Sequence, residues 1–552
     1  MYVYSEYDQK IIEERVAQYR GQTERFLAGD LSEDEFLVLR LQNGLYVQRH
    51  APMLRIAIPH GMFTAVQMRK MAELSRTYDK GYAHFTTRQN LQLNWPKLEQ
   101  VPDILEELAS VQMHAIQTSG NCIRNTTSDQ YAGVAKDETV DPRPYCEIIR
   151  QWSTFHPEFA LLGRKFKIAV SGSKQDRAAV QVHDVGLYLT HNSEGQLGFK
   201  VYVGGGLGRT PVVAPLVNEF VAEHDILSYL EAVLRVYNRN GRRDNKYKAR
   251  IKILVRAMTP EVFAEKVNQE WAELKDGPMK LPQQEIDRVK ACFQPPAYEQ
   301  LDAQDSEFLE KLESDGSFKV WVNQNVADHK VNGYSIVNIS LKDTSRAPGD
   351  VSAEDMEIIA DLADKYSFSE LRSTHTQNLV LADVKQNQLY ELWQTLKTHQ
   401  FATPNIGLLT DMICCPGGDF CALANAKSIP IAEQIQRRFD DLDTLHNIGE
   451  LELNISGCMN ACGHHHVGNI GVLGVDKKGS EFYQISIGGS SKEDAAIGKI
   501  LGPSFDEDDV ADVVEKIINV YVEQRTDGER FIDTCRRIGI DPFKERVYAK
   551  NN

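Results

Sequence analysis

The sequence contains an internal repeat, and this repeat limits the possible folds more than any other feature does. Residues 86–93, TTRQNLQL, return as residues 374–381, THTQNLVL, at an offset of 288 between Gln89 and Gln377. Two further pairs follow in the same order at offsets of 285 and 284, namely 166–172 with 451–457 and 199–205 with 483–489. One such pair of short strand-like segments arises easily by chance, but three in one register indicate two copies of a single unit.

Each copy shows the same order of strands and helices. The first segment alternates like a strand and precedes a helical pattern, at 98–108 in one copy and at 387–396 in the other. The second and third segments are strand-like and end in glycines, which is typical of a second module with a Gly-rich turn. We therefore predict an internally duplicated α+β fold.

Length and composition exclude several classes of protein. The 552 residues suffice for three or four domains, and 42% apolar with 25% charged residues is typical of a folded globular chain. A formal charge of −16 argues against a nucleic-acid partner, because phosphate binding needs a positive field. No apolar run reaches the roughly 18 to 20 residues of a membrane helix. The first residues lack the pattern of a signal peptide, so we expect a cytoplasmic protein with no membrane partner.

The two copies differ in where they carry positive charge. Lys165 and Lys167 lie two residues apart on a predicted strand and share a face, whereas the matching positions of the second copy are Glu450 and Glu452. Two adjacent ammonium groups repel each other unless an anion lies between them, so this face is a candidate anion site. The alternative is a solvated lysine pair on an exposed edge strand. Arg88 and Arg124 are two more cations found in the first copy.

The second copy carries cysteines instead. Five of the nine cysteines fall between positions 414 and 462, and four of them form two glycine-flanked pairs with C-x5-C and C-x3-C spacing: Cys415, Cys421, Cys458 and Cys462. Thiolates are the preferred ligands of Zn²⁺ and of iron-sulfur clusters. Structural zinc pairs favour two to four intervening residues, so C-x5-C lies outside that habit, and the ferredoxin run C-x2-C-x2-C is also absent. A structural zinc or partner-binding protein is the alternative from another class.

With these motifs the sequence resembles the sulfite and nitrite reductase hemoproteins that couple siroheme to a [4Fe–4S] cluster, most of all the assimilatory sulfite reductase hemoprotein. The two cysteine pairs, the Thr-Arg-Gln segment, the Arg-Lys-Phe-Lys segment at 164–167 and the Gly-rich turn at 204–207 carry the resemblance. It implies a pseudo-twofold structure in which two ferredoxin-like half-domains pair and two α+β modules enclose the cofactors.

The resemblance also implies a role for each candidate residue. Cys415, Cys421, Cys458 and Cys462 would bind the cluster, and Cys462 would also be the axial ligand of the siroheme iron. The substrate anion would be bound by Arg88, Arg124, Lys165 and Lys167. Further contacts to siroheme would come from Asn121, Arg209, Arg250, Lys252 and Asn460. Cys414 and the histidines at 464–466 adjoin the cysteine pairs, and we expect neither to replace a cluster ligand.

The resemblance also supports expectations about the substrate and the electron donor. Two lysines at this position resemble sulfite reductases, whereas plant-type nitrite reductases tend to have Asn in place of Lys167. We therefore predict six-electron reduction of sulfite to sulfide, with nitrite reduction to ammonia as the alternative. The chain has no dinucleotide-binding G-x-G-x-x-G after a strand and no flavodoxin-like segment. Electrons would come from a separate NADPH-dependent flavoprotein or from ferredoxin.

Six segments follow from the repeat and the resemblance together. They are an N-terminal helical extension (1–42), ferredoxin-like half-domain 1 (43–118), a siroheme- and substrate-binding α+β module (119–260), a linker (261–317), ferredoxin-like half-domain 2 (318–408), and a [4Fe–4S]- and siroheme-binding module with a C-terminal cap (409–552).

Overall fold

The computed structural model describes residues 2–549 and contains four five-stranded sheets, two in each half of the chain. The duplicated α+β fold predicted from the sequence is confirmed. No helix among these residues has both the length and the apolar character needed to cross a membrane.

The first half begins with two helices that carry Ser-initiated capping boxes. A ferredoxin-like sheet follows. The next sheet has its five strands in sequence order, with two parallel and two antiparallel pairings. The elements are α1 (Glu6–Leu27), α2 (Glu33–Gln42), β1 (Leu45–Val47), β2 (Pro52–Ile56), β3 (Met62–Thr64), α3 (Ala65–Tyr78), β4 (Tyr82–Phe85), β5 (Leu91–Leu93), α4 (Val101–Ala109), β6 (Thr127–Ser128), α5 (Arg143–Ser153), β7 (Ile168–Ser171), β8 (Val185–His191), β9 (Leu197–Val203), β10 (Leu216–Ala222) and α6 (Ile226–Asn240).

Helices connect the halves, and the second half then repeats the same order of sheets. The connecting helices are α7 (Ile251–Met258), α8 (Pro260–Leu274), α9 (Gln283–Ala291), α10 (Ser306–Ser314) and α11 (Gly316–Asn325). The second half comprises β11 (Val326–Asp328), β12 (Tyr334–Ile339), β13 (Asp350–Ser352), α12 (Ala353–Tyr366), β14 (Glu370–Ser373), β15 (Leu379–Lys385), α13 (Leu389–Thr398), β16 (Ile413–Cys414), α14 (Ile429–Arg438), α15 (Leu442–Ile448), β17 (Leu453–Ser456), β18 (Ile470–Lys477), β19 (Ser480–Ile487), β20 (Lys499–Ile500), α16 (Val510–Gln524), α17 (Phe531–Ile538) and α18 (Asp541–Tyr548).

The two ferredoxin-like sheets exchange an edge strand. Strand β3 of the first half pairs with β14, and β13 of the second half pairs with β4, so each half completes the sheet of the other. Helices α3 and α12 follow these exchanged strands and pack in one hydrophobic core that runs through both half-domains. The outer modules each have a core of their own, and α8 and α9 contribute Phe263, Val267, Ile286 and Val289 to the core of the first.

The predicted strand at residues 86–93 is wrong in its first part. Only Leu91–Leu93 forms β5, and residues 86–90 form a tight turn in which Gln89 has a left-handed φ of 56°. The second copy has the same turn, with Gln377 at φ 65° before β15. The Thr86 hydroxyl stabilises the turn by accepting hydrogen bonds from the backbone N–H groups of Arg88 and Asn90, both at 3.3 Å. Such local side-chain hydrogen bonds compete with strand pairing.

Candidate active site

A cavity of about 440 Å³ lies between half-domain 1, the first outer module and the second outer module. It collects most of the residues that the sequence singled out, although they come from five separate stretches of chain. Its lining includes Arg88, Asn121, Arg124, Lys165, Lys167, Cys415, Cys421, Cys458, Asn460 and Cys462. The structure thus brings the cations of the first copy and the thiols of the second copy to one site, while the role of each residue stays a prediction.

The repeated glutamines explain how the two turns hold this site together. The side-chain amide of Gln89 accepts a hydrogen bond from the Ser128 backbone N–H at 3.0 Å and donates one to the Ser128 carbonyl at 2.9 Å. The Gln377 amide makes the same pair of bonds to Cys414, at 2.8 and 2.9 Å. Each turn therefore clamps the backbone at the start of one outer module, and the Gln377 clamp fixes the residue before Cys415.

Arg88 lies in the first of these turns and faces the cavity. Its guanidinium donates to the Thr127 hydroxyl at 2.8 Å and to the Asn125 carbonyl at 2.6 Å, which fixes its direction. The side chain is partly accessible to water in the cavity but lies deep in the molecule. Burial, reinforced by Arg124, lowers the pKa of Arg88 to about 9, so the group stays charged at neutral pH.

Arg124 is held by the loop before β6. It donates to the carbonyl of Gly120 through Nε and Nη2, at 3.1 and 2.7 Å, and to the carbonyl of Thr118 at 2.7 Å. The guanidinium group of Arg124 thus lies at the cavity wall, and no carboxylate among residues 2–549 forms an ion pair with it. Such a fixed, unneutralised guanidinium is suited to an anion.

Lys165 and Lys167 immediately precede β7 and reach the same cavity. Burial lowers the pKa of Lys165 to about 8, and burial together with the charges of Lys165 and Arg88 lowers the pKa of Lys167 well below its usual value. Neither ammonium donates a hydrogen bond to any group within residues 2–549, although the Lys167 backbone N–H donates to Asp184 at 2.9 Å. An anion between the two lysines would satisfy both groups and favour their charged forms.

The four predicted cluster ligands lie on two loops that meet beside β16 and β17. The N–H of Gly457 points at the Cys415 sulfur at 3.2 Å, as expected of backbone groups around a cluster. Gly463 must be glycine because a Cβ there would lie 1.9 Å from the Ile455 carbonyl. Burial raises the pKa of Cys415 to about 12 and that of Cys458 to about 11, so the metal must drive loss of the thiol protons.

The arrangement of the thiols favours a cluster over a single ion. Zn²⁺ needs four ligand atoms at about 2.0–2.3 Å from one point. Among residues 2–549 no three His, Cys, Asp or Glu side chains converge closely enough to hold one metal ion. The four thiols instead line a shared cavity, and each of Cys415, Cys421 and Cys458 senses the charge of Cys462. Four thiols at one cavity match the number of cysteine ligands that a [4Fe–4S] cluster takes.

Three of the predicted siroheme contacts do not line the cavity, and two of them have structural partners. Arg250 forms a two-point ion pair with buried Asp184, with both distances 2.8 Å, and Asp184 in turn holds the Lys167 backbone. Lys252 donates to the carbonyls of Gly206 and Leu207 in the Gly-rich turn. Arg209 is exposed and its Nε lies 3.3 Å from the Met459 sulfur.

The residues next to the cysteine pairs take no place in the cavity wall. Cys414 is buried, and its sulfur contacts the Cys415 carbonyl. His464 and His465 are buried, while the His466 Nε2 hydrogen bonds to the Gly208 carbonyl across the two halves. That none of them replaces a cluster ligand stays a prediction.

The structure adds cavity residues that the sequence did not reveal. Tyr46 and Arg55 come from the first hairpin, and the Arg55 guanidinium lies 5.4 Å from the Tyr46 ring centre. Burial opposes ionisation of Tyr46, but the charges of Arg124, Arg55 and Lys165 outweigh it and lower its pKa. Neither residue belongs to the repeat, so no signal in the sequence distinguishes them from surface residues. Arg164, which lies in the Arg-Lys-Phe-Lys segment, also lines the cavity.

The fold and the site together define a duplicated α+β protein in which the cations of one copy and four cysteine thiols of the other line a single cavity. Comparison with known proteins agrees: the model for "Nitrite and sulphite reductase 4Fe-4S domain" matches residues 119–275 and 408–552, and that for "Nitrite/Sulfite reductase ferredoxin-like half domain" matches 46–111 and 344–399. These matches cover most of the chain, which therefore belongs to the nitrite and sulfite reductase family. Its cofactors are siroheme and a [4Fe–4S] cluster, so the zinc alternative is wrong.

The relatives include sulfite reductases and nitrite reductases. Sulfite reductase [ferredoxin] 1 of Mycolicibacterium paratuberculosis is 27% identical over 498 residues, covering 88% of this chain and 82% of the relative. The chloroplastic ferredoxin–nitrite reductase of Arabidopsis thaliana is 28% identical over 488 residues, covering 84% and 75%. The solved structure of the Mycobacterium tuberculosis NirA protein is similar with a TM-score of 0.77 and 25% identity, covering 93% of this chain and 92% of that one. This chain is an oxidoreductase that reduces sulfite or nitrite.

Proposed function

We propose that this enzyme is a sulfite reductase that reduces sulfite to sulfide with six electrons supplied by ferredoxin. The observation that carries the choice of sulfite is the pair Lys165 and Lys167, two buried ammonium groups on one wall of the cavity without hydrogen-bond partners of their own. A dianion gains more than a monoanion from this concentration of positive charge.

Each group of residues has a defined part in this proposal. Cys415, Cys421, Cys458 and Cys462 would hold the cluster, and Cys462 would also serve as a ligand of the siroheme. The bound cofactors supply an iron site for the substrate and deliver electrons singly. Their carboxylates and the tetrapyrrole ring would occupy the cavity beside Asn121 and Asn460.

The cations act on the substrate directly. Arg88 and Arg124 have fixed directions, so they orient the oxygens of the anion and neutralise its charge without losing side-chain freedom at that moment. Lys165 and Lys167 hold protons at Nζ, and their lowered pKa values make these protons easier to transfer to departing oxygens. Arg250 positions Lys167 through Asp184 rather than contacting the substrate.

Nitrite is the second candidate because nitrite reductases stand among the relatives at the same level of identity. Ferredoxin appears in the names of relatives of both kinds, and this supports ferredoxin over an NADPH-dependent flavoprotein as the donor.

The test is anaerobic reduction of sulfite and nitrite, side by side, by the purified holoenzyme with reduced methyl viologen as donor. We expect an absorption spectrum of siroheme, iron with acid-labile sulfide, stoichiometric sulfide formation, and a higher kcat/KM for sulfite than for nitrite. A higher kcat/KM for nitrite would replace the proposal by its alternative. A protein that binds both cofactors and reduces neither anion would overturn both.

A further inference from the structure

The glutamine that clamps Cys414 is itself held by residues of the first half of the chain. The side-chain oxygen of Gln377 accepts the Cys414 hydrogen bond, so its nitrogen faces the remaining partners as a donor. The two N–H groups of this nitrogen are shared among the Cys414 carbonyl at 2.9 Å, the Phe85 carbonyl at 3.0 Å and His84 Nε2 at 3.0 Å. One amide therefore joins the loop of the second copy to β4 of the first.

Asp350 extends this contact to the exchanged strand β13. One of its carboxylate oxygens lies 2.7 Å from His84 Nδ1. Because the Gln377 nitrogen can only donate, His84 Nε2 accepts, and Nδ1 then carries the hydrogen that bonds to Asp350. We call these three side chains, Asp350, His84 and Gln377, the clamp relay. Its last member bonds to the peptide groups on both sides of Cys414, one of which leads directly into Cys415.

The clamp alone is present in both copies. Gln89 bonds to both backbone groups of Ser128 and donates to the Ser373 carbonyl at 3.0 Å, just as Gln377 donates to the Phe85 carbonyl. Both glutamines have a left-handed backbone, which glycine adopts more readily. The turns therefore need the side-chain amide itself. Since the first copy has no cysteine pair, the clamp by itself belongs to the duplicated fold.

The rest of the relay is confined to the copy that carries the cysteines. At the repeat offset of 288, His84 and Asp350 correspond to Arg372 and Met62, which pair across the other exchanged strand. Met62 offers no carboxylate, and Arg372 donates instead to Glu370 on its own strand at 2.9 Å. Among residues 2–549 the clamp glutamine of the first copy has no hydrogen bond to either of them. A difference at equivalent positions, found beside the thiols alone, points to a role in cluster binding.

The relay has little freedom to move. His84 and Gln377 are buried, as is Cys414. Gly349 allows the close approach, because a Cβ there would lie 3.0 Å from the Gln377 nitrogen and Gly349 has a left-handed φ of 84°. A buried amide with several bonds holds its peptide partners in one orientation. The peptide plane that leads into Cys415 is therefore fixed before any cluster binds.

We propose that the clamp relay is a positioning device for Cys415 that slows loss of the iron-sulfur cluster and fixes its electronic structure. Gln377 holds the peptide plane before Cys415, and His84 with Asp350 keeps the amide from rotating away. This inference rests on the proposed function, because it takes Cys415 as a cluster ligand. Groups that orient metal ligands in this way commonly change metal affinity about 10- to 100-fold.

The test uses two matched pairs of holoenzyme variants. Gln377→Ala is compared with Gln89→Ala, because each removes an equivalent clamp and leaves a residue with the same difficulty in a left-handed turn. Asp350→Ala is compared with Glu370→Ala, because each removes the carboxylate partner of an equivalent residue and the two side chains are similarly exposed, at 22% and 16%. The second pair decides the question if loss of the clamp prevents folding.

Two measurements report on the cluster itself. Anaerobic release of iron to a ferrous chelator measures retention. The electron paramagnetic resonance spectrum of the reduced cluster, with carbon monoxide keeping the siroheme iron diamagnetic, measures electronic structure. We expect Gln377→Ala to release cluster iron about tenfold faster than the wild type and to shift the g values of the spectrum. Asp350→Ala should act in the same direction but less, whereas Gln89→Ala and Glu370→Ala should match the wild type in both measurements.

The outcomes separate this inference from the proposed function. Equal changes in both members of each pair would overturn the relay, because general loss of stability would then explain them, and so would wild-type behaviour of Gln377→Ala and Asp350→Ala. A Cys415→Ser variant that keeps the wild-type spectrum would overturn the ligand assignment on which the relay depends. A wild-type enzyme that holds the cluster but reduces neither anion would overturn the proposed function, while the differences within each pair would still support the relay.

Discussion

At the scale of single residues, the site depends on charges that have no partner within the protein. Most buried ions in this chain are paired, as Arg177 is with Asp129 and Arg250 with Asp184. Lys165 and Lys167 differ because burial lowers both pKa values, reinforced by the charge of Arg124 at Lys165 and by the charge of Lys165 at Lys167, so folding alone does not favour their charged forms. An anion that binds between the two ammonium groups would stabilise both of their charged forms.

The substitution Lys167→Asn tests whether the charge of Lys167 favours sulfite over nitrite. We expect Lys167→Asn to lower kcat/KM for sulfite about 10- to 100-fold, because one cation that stabilises the reacting dianion is lost. The kcat/KM for nitrite should fall less or rise. Steady-state rates with methyl viologen measure both, and Lys174→Asn, at an exposed lysine beyond β7, is the control. Equal proportional losses for the two substrates would contradict the assignment of Lys167.

At the scale of elements, the exchanged strands and the helices that follow them join the two half-domains. Strand β3 leads directly into α3, and β13 leads into α12. Both helices begin with a capping box, Thr64 with Gln67 and Ser352 with Asp355, at equivalent positions of the repeat. The cap therefore fixes the direction in which each exchanged strand enters its helix.

Removing either cap should weaken the contact between the halves. We expect Thr64→Ala and Ser352→Ala each to lower the free energy of unfolding by about 1 kcal/mol, because backbone N–H groups at the helix start lose their acceptor. Urea denaturation followed by circular dichroism measures the change. Thr77→Ala, at an exposed position near the end of α3, is the control and should change little. A control as destabilised as the cap variants would show that loss of the hydroxyl-bearing side chain in general, rather than loss of the cap, is the cause.

At the scale of the whole molecule, the pseudo-twofold arrangement shows which residues of the first copy correspond to the predicted cluster ligands of the second. Strand β6 pairs with β7 as β16 pairs with β17, and this register places Asp129, Ser173 and Arg177 at the positions of Cys415, Cys458 and Cys462. Asp129 accepts hydrogen bonds from Ser173 at 2.8 Å and from Arg177 at 3.0 Å. An ion pair thus joins in one copy the loops that a cluster joins in the other.

Arg177→Ala should therefore destabilise the first outer module. Asp129 is fully buried, and loss of its partner leaves an uncompensated charge, for which we expect a cost of about 3–5 kcal/mol. Chemical denaturation of the holoenzyme measures this, and the cluster absorbance should persist because the cysteines lie in the other copy. Arg239→Ala breaks an exposed ion pair with Glu270 and should cost less than about 1 kcal/mol. Similar costs for the two variants would contradict a structural role for the Asp129 pair.

The sequence by itself determined the duplication, the α+β class, the division of cations and thiols between the copies, and the spacing that selects four cysteines. These features are local or periodic, so the order of residues records them directly. Only the tertiary structure decided that residues 86–90 form a turn and that β3 and β13 pair in the sheet of the other half. It also decided that Tyr46 and Arg55 line the cavity, whereas Arg250 and Lys252 bind protein groups outside its lining. The Thr86 hydroxyl holds the turn locally. The exchanged strands and the cavity lining depend on contacts between residues far apart in the chain, such as the clamp of Gln377 on Cys414 and the pairing of Met62 with Arg372. Such contacts satisfy backbone and charged groups only in the folded molecule.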